Sequence, residues 1–243
     1  MFSPVLAVAF LGGVLPALLW LFFWLLEDRC EPEPKRYIIL TFMAGGLAIF
    51  PVYYLELFMQ QVLASSTPHP LLLLGLHVST PLVLLSWAII EELAKFAVAY
   101  FIALRTAVFD EPLDAVIYLV TAALGFSAIE NTLFLLGPLS QGDALRTVVT
   151  GDLRFIGATL LHTLSSATIG VALAFAFYKS VGVRWLAAGA GVILAVVLHT
   201  LFNFFILGTS SGATFWIFLL IWCGIVAALL LVERVKLPVR DYC

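Results

Sequence analysis

Three charged side chains, Glu91, Glu92 and Lys95, lie in the middle of an otherwise apolar run from Leu82 to Leu104. Each charge in a membrane-spanning segment costs roughly 2.5–3.5 kcal/mol on insertion-derived scales. On a helix, residues three and four positions apart share one face, so all three groups occupy a single sector. That sector must face a protein interior or a water-filled cavity rather than lipid.

Four further ionisable side chains fall inside apolar segments: Glu56, Glu130, His162 and His199. Aromatic, amide and hydroxyl groups accompany the last three at adjacent or helical spacing: Phe126, Asn131, Ser166 and Asn203. Carboxylates, imidazoles and amides together supply a general base, a polarising group and donors for an oxyanion. These are the groups needed to attack an amide bond with water.

The nucleophile is predicted to be water rather than a side chain. The sequence contains no Gly-x-Ser-x-Gly elbow and no His-Glu-x-x-His pair. Cys30, Cys223 and Cys243 are too few and too scattered for a disulfide framework or a metal-ligand pattern. A covalent intermediate is therefore disfavoured.

Spacing leaves the question of a metal open. Two histidines and the carboxylates could hold Zn²⁺, which takes nitrogen and oxygen ligands and keeps one position for water. The ligands would then be Glu91, Glu130, His162 and His199. Because each would come from a different helix, spacing cannot decide. The interpretation favoured here is a metal-independent, glutamate-based reaction, with zinc not excluded.

The elements that must position these groups are membrane helices. The chain is 63% hydrophobic and 11% charged, and its apolar blocks have about the 20 residues needed to cross a bilayer. We predict an all-α polytopic membrane protein in one domain over residues 1–243, located in the cell membrane, with no nucleic-acid partner. The predicted spans are residues 4–26, 37–63, 82–104, 114–136, 155–178, 185–207 and 214–232.

Lys and Arg positions predict the orientation, because cytoplasmic loops carry an excess of these residues. With the N-terminus outside and the C-terminus inside, nine fall on the inner side: Arg29, Lys35, Arg36, Arg105, Lys179, Arg184, Arg234, Lys236 and Arg240. Only Arg146 and Arg154 fall outside. In this orientation Glu91, Glu130, His162 and His199 share one layer, roughly 9–14 Å below the outer surface at about 1.5 Å per residue. We therefore expect them to converge on one site.

Several motifs in this order resemble a known family of enzymes. They are Glu91-Glu92-x-x-Lys95, Asp110-Glu-Pro-Leu-Asp114-x-x-x-Tyr118, Gly125-Phe126-x-x-x-Glu130-Asn131, His162, and His199-x-x-x-Asn203. Together they resemble the PrsW-type intramembrane proteases, which are related to the CAAX-prenyl and bacteriocin-processing membrane proteases. The resemblance covers about residues 85–207. It implies an endopeptidase that cleaves a membrane-anchored, single-span protein, such as an anti-sigma factor, near the outer face.

On this basis we assign provisional roles to the polar residues. Glu91 is predicted to be the general base that holds the attacking water, and His162 to orient or deprotonate it. His199 and Asn203 are expected to donate hydrogen bonds to the developing oxyanion. Glu130 is expected to share base duty or bind a metal. The remaining members of the site are Glu92, with Lys95, Phe126, Asn131 and Ser166 in support.

Two other functions fit the composition. A proton-coupled transporter or channel could use the Glu/His/Lys layer as a relay. A non-catalytic membrane scaffold could keep the same polar groups for folding. The His-x-x-x-Asn arrangement, and the lack of half-chain symmetry or paired broken helices expected of many transporters, favour the protease.

Overall fold

The computed structural model describes residues 3–28, 32–66, 72–73, 76–77, 79–208 and 211–236. Cys30, Cys243 and His69 lie outside these residues. Almost all of the described chain is helical. The α-helices are α1 (Pro4–Leu25), α2 (Lys35–Leu47), α3 (Ile49–Ser66), α4 (Ser79–Ala99), α5 (Asp114–Ser140), α6 (Ala144–Leu153), α7 (Thr159–Ala176), α8 (Val181–Gly208) and α9 (Ser211–Lys236).

The all-α, polytopic membrane class predicted from the sequence is confirmed. Within the described ranges, six helical segments are long and apolar enough to cross a membrane: Pro4–Leu25, Lys35–Leu63, Asp114–Ser140, Ala144–Ala176, Val181–Ile206 and Thr214–Lys236. The segment from Ser79 to Leu104 is also long, but it carries the three charges of the Glu91 region. The chain is thus a multi-pass membrane protein, and the predicted orientation stays a prediction.

Two very short strands lie between helices α3 and α4. Helix α3 continues to Ser66 and α4 begins at Ser79. Between them, β1 (Leu72–Leu73) pairs antiparallel with β2 (Leu76–His77).

The second predicted span is one membrane-crossing segment, Lys35–Leu63, with a one-residue break in its helix. Helix α2 ends at Leu47 and α3 begins at Ile49, with the break at Ala48. Pro51 explains it, because proline has no N–H to donate to the carbonyl one turn earlier and its ring crowds that carbonyl.

Helix α5 is the centre of the bundle. It packs against α1, α2 and α7, and every residue from Asp114 to Ala128 is buried. Gly125 makes this packing close, because a Cβ there would overlap the carbonyl oxygen of Phe42 on α2. Small residues allow such backbone approach between membrane helices. The carboxyl half of α5, with Glu130, is thereby fixed against its neighbours.

Two short π-helical segments interrupt the regular spans. Tyr100–Leu104 continues α4, and Arg154–Ala158 joins α6 to α7. A π-helical turn inserts an extra residue and changes the direction of the side chains beyond it, and such turns occur frequently at functional sites. The second segment matters here, because it begins at Arg154 and leads into the helix that carries His162.

Candidate active site

Four helices bring carboxylates and imidazoles together in the interior of the bundle. Glu91 lies on α4, Glu130 on α5, His162 on α7 and His199 on α8. The imidazole rings of His162 and His199 are 5.2 Å apart between centroids and nearly perpendicular. Both rings and the Glu91 side chain are buried.

The Glu91 carboxylate is the point on which the two histidines converge. Its Oε2 atom lies 3.9 Å from His162 Nδ1 and 3.9 Å from His199 Nε2. Lys95 Nζ is 3.8 Å away on the same helix face. Within the described part of the chain this buried oxygen accepts no hydrogen bond. Because burying an unpaired polar atom is costly, a bound group is expected to use it.

His162 is held in one orientation by contacts on both of its ring nitrogens. Lys95 Nζ lies 2.9 Å from Nδ1, and an ammonium group can only donate, so Nδ1 is the acceptor. Nε2 therefore carries the proton and donates it to Glu130 Oε2 at 2.9 Å. Glu130 is in turn hydrogen-bonded to the guanidinium of Arg154.

His199 and Lys95 share the second carboxylate of the motif. Glu92 Oε1 lies 2.7 Å from His199 Nδ1 and 2.6 Å from Lys95 Nζ. Glu92 and Lys95 are fully buried, and each lies within hydrogen-bonding distance of the other. A buried charge needs such a partner, because removal from water is costly. The contact with Glu92 leaves His199 Nε2 directed toward Glu91.

A cavity of about 620 Å³ opens above these groups. Its polar wall contains Glu56, Gln60, Glu91, Glu130, Arg154, His162, His199, Asn203 and Thr214. The rest is mainly apolar, including Ile49, Leu57, Trp87, Leu133, Phe134, Phe202, Ile206 and Phe218. A concave, largely apolar site with a few convergent polar groups is the usual form of a ligand pocket.

Five of the predicted site residues do not line this cavity. Glu92 and Lys95 lie behind the histidines, and Phe126 packs against the His162 ring at 5.7 Å between centroids. The Asn131 amide donates to Ser127 and Thr159 and accepts from Arg154, so it ties α5 to α7. Ser166 is buried away from the cavity. Helical spacing alone does not show which side chains point into the cavity and which pack behind it.

Arg154 is the main residue that the sequence reasoning missed. The positive-inside count placed it in an outer loop, whereas its guanidinium contacts Glu130 and Asn131 and lies 3.9 Å from the centre of the Phe134 ring. The signal available in the sequence was an arginine next to an apolar helix start. Glu56, which has no role in the site predicted from the sequence, also lines this cavity.

The residues present fit a divalent metal. Glu91, His162 and His199 each offer one buried ligand atom, and these atoms lie within 4.8 Å of one another. The far nitrogens of both histidines contact carboxylates, Glu130 and Glu92, as is usual for metal-binding histidines. The predicted set of four ligands also included Glu130, but Glu130 is not among the three converging residues. Its carboxylate instead contacts the Arg154 guanidinium and His162 Nε2. The Lys95–His162 contact would have to open for an ion to use Nδ1.

Known proteins with similar sequences are all proteases by name. "Protease PrsW" of Geobacillus kaustophilus is 31% identical over 201 residues, covering 81% of this chain and 78% of that protein. The Bacillus subtilis protein of the same name is 24% identical over 213 residues, covering 85% and 84%. That of Halalkalibacterium halodurans is 24% identical over 233 residues, covering 93% and 94%. No solved structure matches the chain.

The family comparison agrees with these relatives and with the motifs. A family model described as "PrsW family intramembrane metalloprotease" matches residues 33–231, which include every helix that contributes to the cavity. This match favours a peptide hydrolase over the transporter considered above. The chain belongs to the PrsW family of intramembrane proteases.

Proposed function

We propose that this chain cleaves a single-span, membrane-anchored protein within the bilayer and close to its outer face, by activating a water molecule at Glu91. The observation that carries the proposal is the convergence of Glu91 Oε2, His162 Nδ1 and His199 Nε2 at the base of a cavity with apolar walls. Apolar walls suit a substrate segment that comes from lipid, and the buried polar groups suit hydrolysis.

In this mechanism Glu91 acts first as base and then as acid. Its unpaired oxygen takes a proton from water as the hydroxide oxygen attacks the scissile carbonyl carbon. The same proton is then delivered to the departing amine when the carbon–nitrogen bond breaks. The products are one carboxyl group and one amine, and Glu91 returns to its starting state.

The other groups orient the reactants. Glu130 and Lys95 hold His162 in a single tautomer beside the water, and Glu92 holds His199. Asn203 lies on the cavity wall, where its amide can donate to the oxyanion that forms in the transition state. His199 can join it only when both ring nitrogens carry protons, so Asn203 is the simpler donor.

A metal ion, if the enzyme uses one, would be held by Glu91, His162 and His199. When bound, such an ion supplies a Lewis acid that polarises the carbonyl and lowers the pKa of water. The same residues would then be ligands, and the positioning contacts from Glu130 and Glu92 would keep their function. Metal analysis of the purified protein and loss of activity with a chelator distinguish this version from the metal-independent one.

The test is cleavage of candidate single-span proteins, tagged at both ends and co-expressed with this chain. Wild type should produce shortened fragments, and Glu91→Gln and His199→Ala should abolish them. Glu27→Gln is the matched control, because Glu27 pairs with Lys236 at the opposite end of the bundle. Fragments that persist with Glu91→Gln would contradict the proposed base.

A further inference from the structure

A second cavity, of about 280 Å³, lies at the end of the bundle opposite the candidate active site. Its walls come from the end of α4 and the π-helical turn after it, from α7, and from the first turns of α8. The lining residues are Phe96, Tyr100, Leu104, Arg105, Phe109, Leu173, Val181, Arg184, Trp185 and Ala188. They share no residue with the catalytic cavity.

Two arginines make this cavity basic. Arg105 and Arg184 both line it, and no aspartate or glutamate does. Arg105 uses Nε to donate to the Phe101 carbonyl at 3.1 Å, which fixes the side chain and leaves its terminal nitrogens available. Among the described residues neither guanidinium forms an ion pair with a carboxylate. Two guanidinium groups on the walls of one concave site are suited to bind phosphate oxygens.

The remaining walls are aromatic and apolar. Tyr100 and Trp185 lie 5.4 Å apart between ring centroids at the mouth, and Tyr100 stacks on Phe96. Tyrosine and tryptophan are enriched at the level of lipid headgroups. Outside the cavity, Phe101 and Leu186 are exposed apolar side chains of the same elements. A ligand with a phosphate at one end and a hydrocarbon portion at the other matches both surfaces.

We propose that this cavity binds the phosphate of an anionic phospholipid, with the acyl chains lying along the adjoining apolar surface. Basic pockets between transmembrane helices on the cytoplasmic side are known to accept anionic headgroups, and the predicted orientation places these arginines there. A free phosphate ion offers the same oxygens but would leave the aromatic mouth without a partner. The lipid therefore accounts for more of the site.

The experiment measures lipid binding to the purified full-length protein in detergent. Phosphatidylglycerol and phosphatidylcholine are titrated separately, and bound lipid is counted by native mass spectrometry. We expect wild type to prefer phosphatidylglycerol by roughly 10- to 30-fold, given about a three- to fivefold step per arginine. Arg105→Gln with Arg184→Gln should abolish this preference.

The matched control is Arg36→Gln with Arg234→Gln. It removes the same charge from the same end of the bundle, at exposed positions that do not line the cavity. This variant should keep the wild-type preference. An equal preference in all three proteins would overturn the proposal, because the cavity arginines would then have no role. An equal loss in the two variants would also overturn it, because general attraction to basic residues would then explain the binding.

Two further arms complete the test. Inorganic phosphate, added at millimolar concentration, should fail to displace phosphatidylglycerol; full displacement would overturn the assignment to a lipid. If the double Gln variant does not fold, Arg105→Lys with Arg184→Lys replaces it, because this variant keeps the charge.

Fluorescence of the wild-type protein gives an independent measurement. Quenching of Trp185 by phosphatidylglycerol labelled near its headgroup should exceed quenching by labelled phosphatidylcholine, with Trp185→Phe as the reference. Equal quenching by the two lipids would overturn the proposal.

Discussion

Arg154 holds the Glu130 carboxylate in the orientation that His162 requires. Its guanidinium bonds to Glu130 and Asn131, and Glu130 bonds to His162 Nε2 at 2.9 Å. Removing the guanidinium leaves the partly buried Glu130 carboxylate free to rotate, so the tautomer of His162 is no longer fixed. Arg154 thus acts through other residues rather than on the substrate, although it lines the cavity.

We expect Arg154→Gln to lower the cleavage rate by roughly 10- to 100-fold, the usual effect of removing a group that orients a catalytic or metal-binding histidine. Arg154→Lys should lose less, because it keeps the charge but not the two-pronged contact. Cleavage rates of purified variants provide the measurement. Arg146→Gln, at an exposed position of the same outer region, should match wild type; equal losses at both positions would indicate a general charge effect.

Glu33, just before helix α2, makes the adjacent end of the bundle sensitive to pH. It lies outside the membrane spans, and burial raises the pKa of its carboxyl above the ordinary value of 4.5, while its contacts with Asp114 and with the Tyr118 hydroxyl, which donates to this carboxylate, oppose the rise. A carboxyl with a raised pKa in the folded state favours folding when it is protonated. Its stabilising effect is therefore complete at pH below 4.5 and is lost as the pH rises through the higher, folded-state pKa.

We expect the thermal stability of the purified protein to fall with rising pH above 4.5, and Glu33→Gln to flatten that part of the profile. The amide keeps the shape of the side chain and cannot ionise. Melting temperatures across a pH series provide the measurement. Asp152→Asn, at an exposed outer position, should leave the slope unchanged, and a slope unaltered by Glu33→Gln would refute the assignment.

At the level of single residues, the sequence predicts the depth of the site residues but not the direction in which each side chain points. Glu91, Glu130, His162 and His199 could be predicted to share one layer, because alternating helices and a constant rise per residue fix depth. Depth does not fix rotation about the helix axis. Asn131 therefore turned out to tie α5 to α7, and Ser166 lies away from the cavity.

At the level of elements, helix α5 depends on close contact with α2. A Cβ at Gly125 would overlap the carbonyl oxygen of Phe42, so Gly125→Ala must push the two helices apart. We expect a loss of about 1–3 kcal/mol in unfolding free energy, as for other overpacked sites, and a lower cleavage rate because Glu130 follows Gly125 on the same helix. Unfolding in mixed micelles and cleavage assays provide the two measurements.

Gly137→Ala is the matched control on the same helix. Nothing in the described structure lies within 4 Å of a Cβ placed there. Alanine is favoured over glycine inside a helix by about 1 kcal/mol, so this variant should be as stable as wild type or more so. If both variants lost the same stability, close packing at Gly125 would not be the cause.

The helices themselves were predictable where hydropathy is continuous, and less so where backbone geometry changes. The apolar blocks of α1, α5 and α9 appear in the sequence within a few residues of their structural bounds. The break at Ala48 depends on Pro51, which a hydropathy average ignores. The π-helical segment from Arg154 to Ala158 adds one residue to a turn, and this brings Arg154 to Glu130 rather than to water.

At the scale of the whole molecule, the two ends of the bundle differ in chemistry. One end holds the candidate catalytic cavity, with buried carboxylates and imidazoles, and the other holds the cavity with Arg105 and Arg184. One domain that spans the membrane would thus expose hydrolytic groups toward one leaflet and basic groups toward the other. The function therefore depends on which end faces the cytoplasm.

The orientation is expected to be N-terminus outside, because nine lysines and arginines then fall on the inner side and only two on the outer side. The α7–α8 turn then lies inside and the α5–α6 turn outside. Cysteines introduced at Gln141 and Ser180, exposed in those two turns, with the native cysteines replaced by serine, provide the test. An impermeant maleimide should label Gln141→Cys in intact cells and Ser180→Cys only after permeabilisation. The reverse pattern would place the catalytic cavity near the cytoplasm, so a substrate cut near its outer end could not reach Glu91.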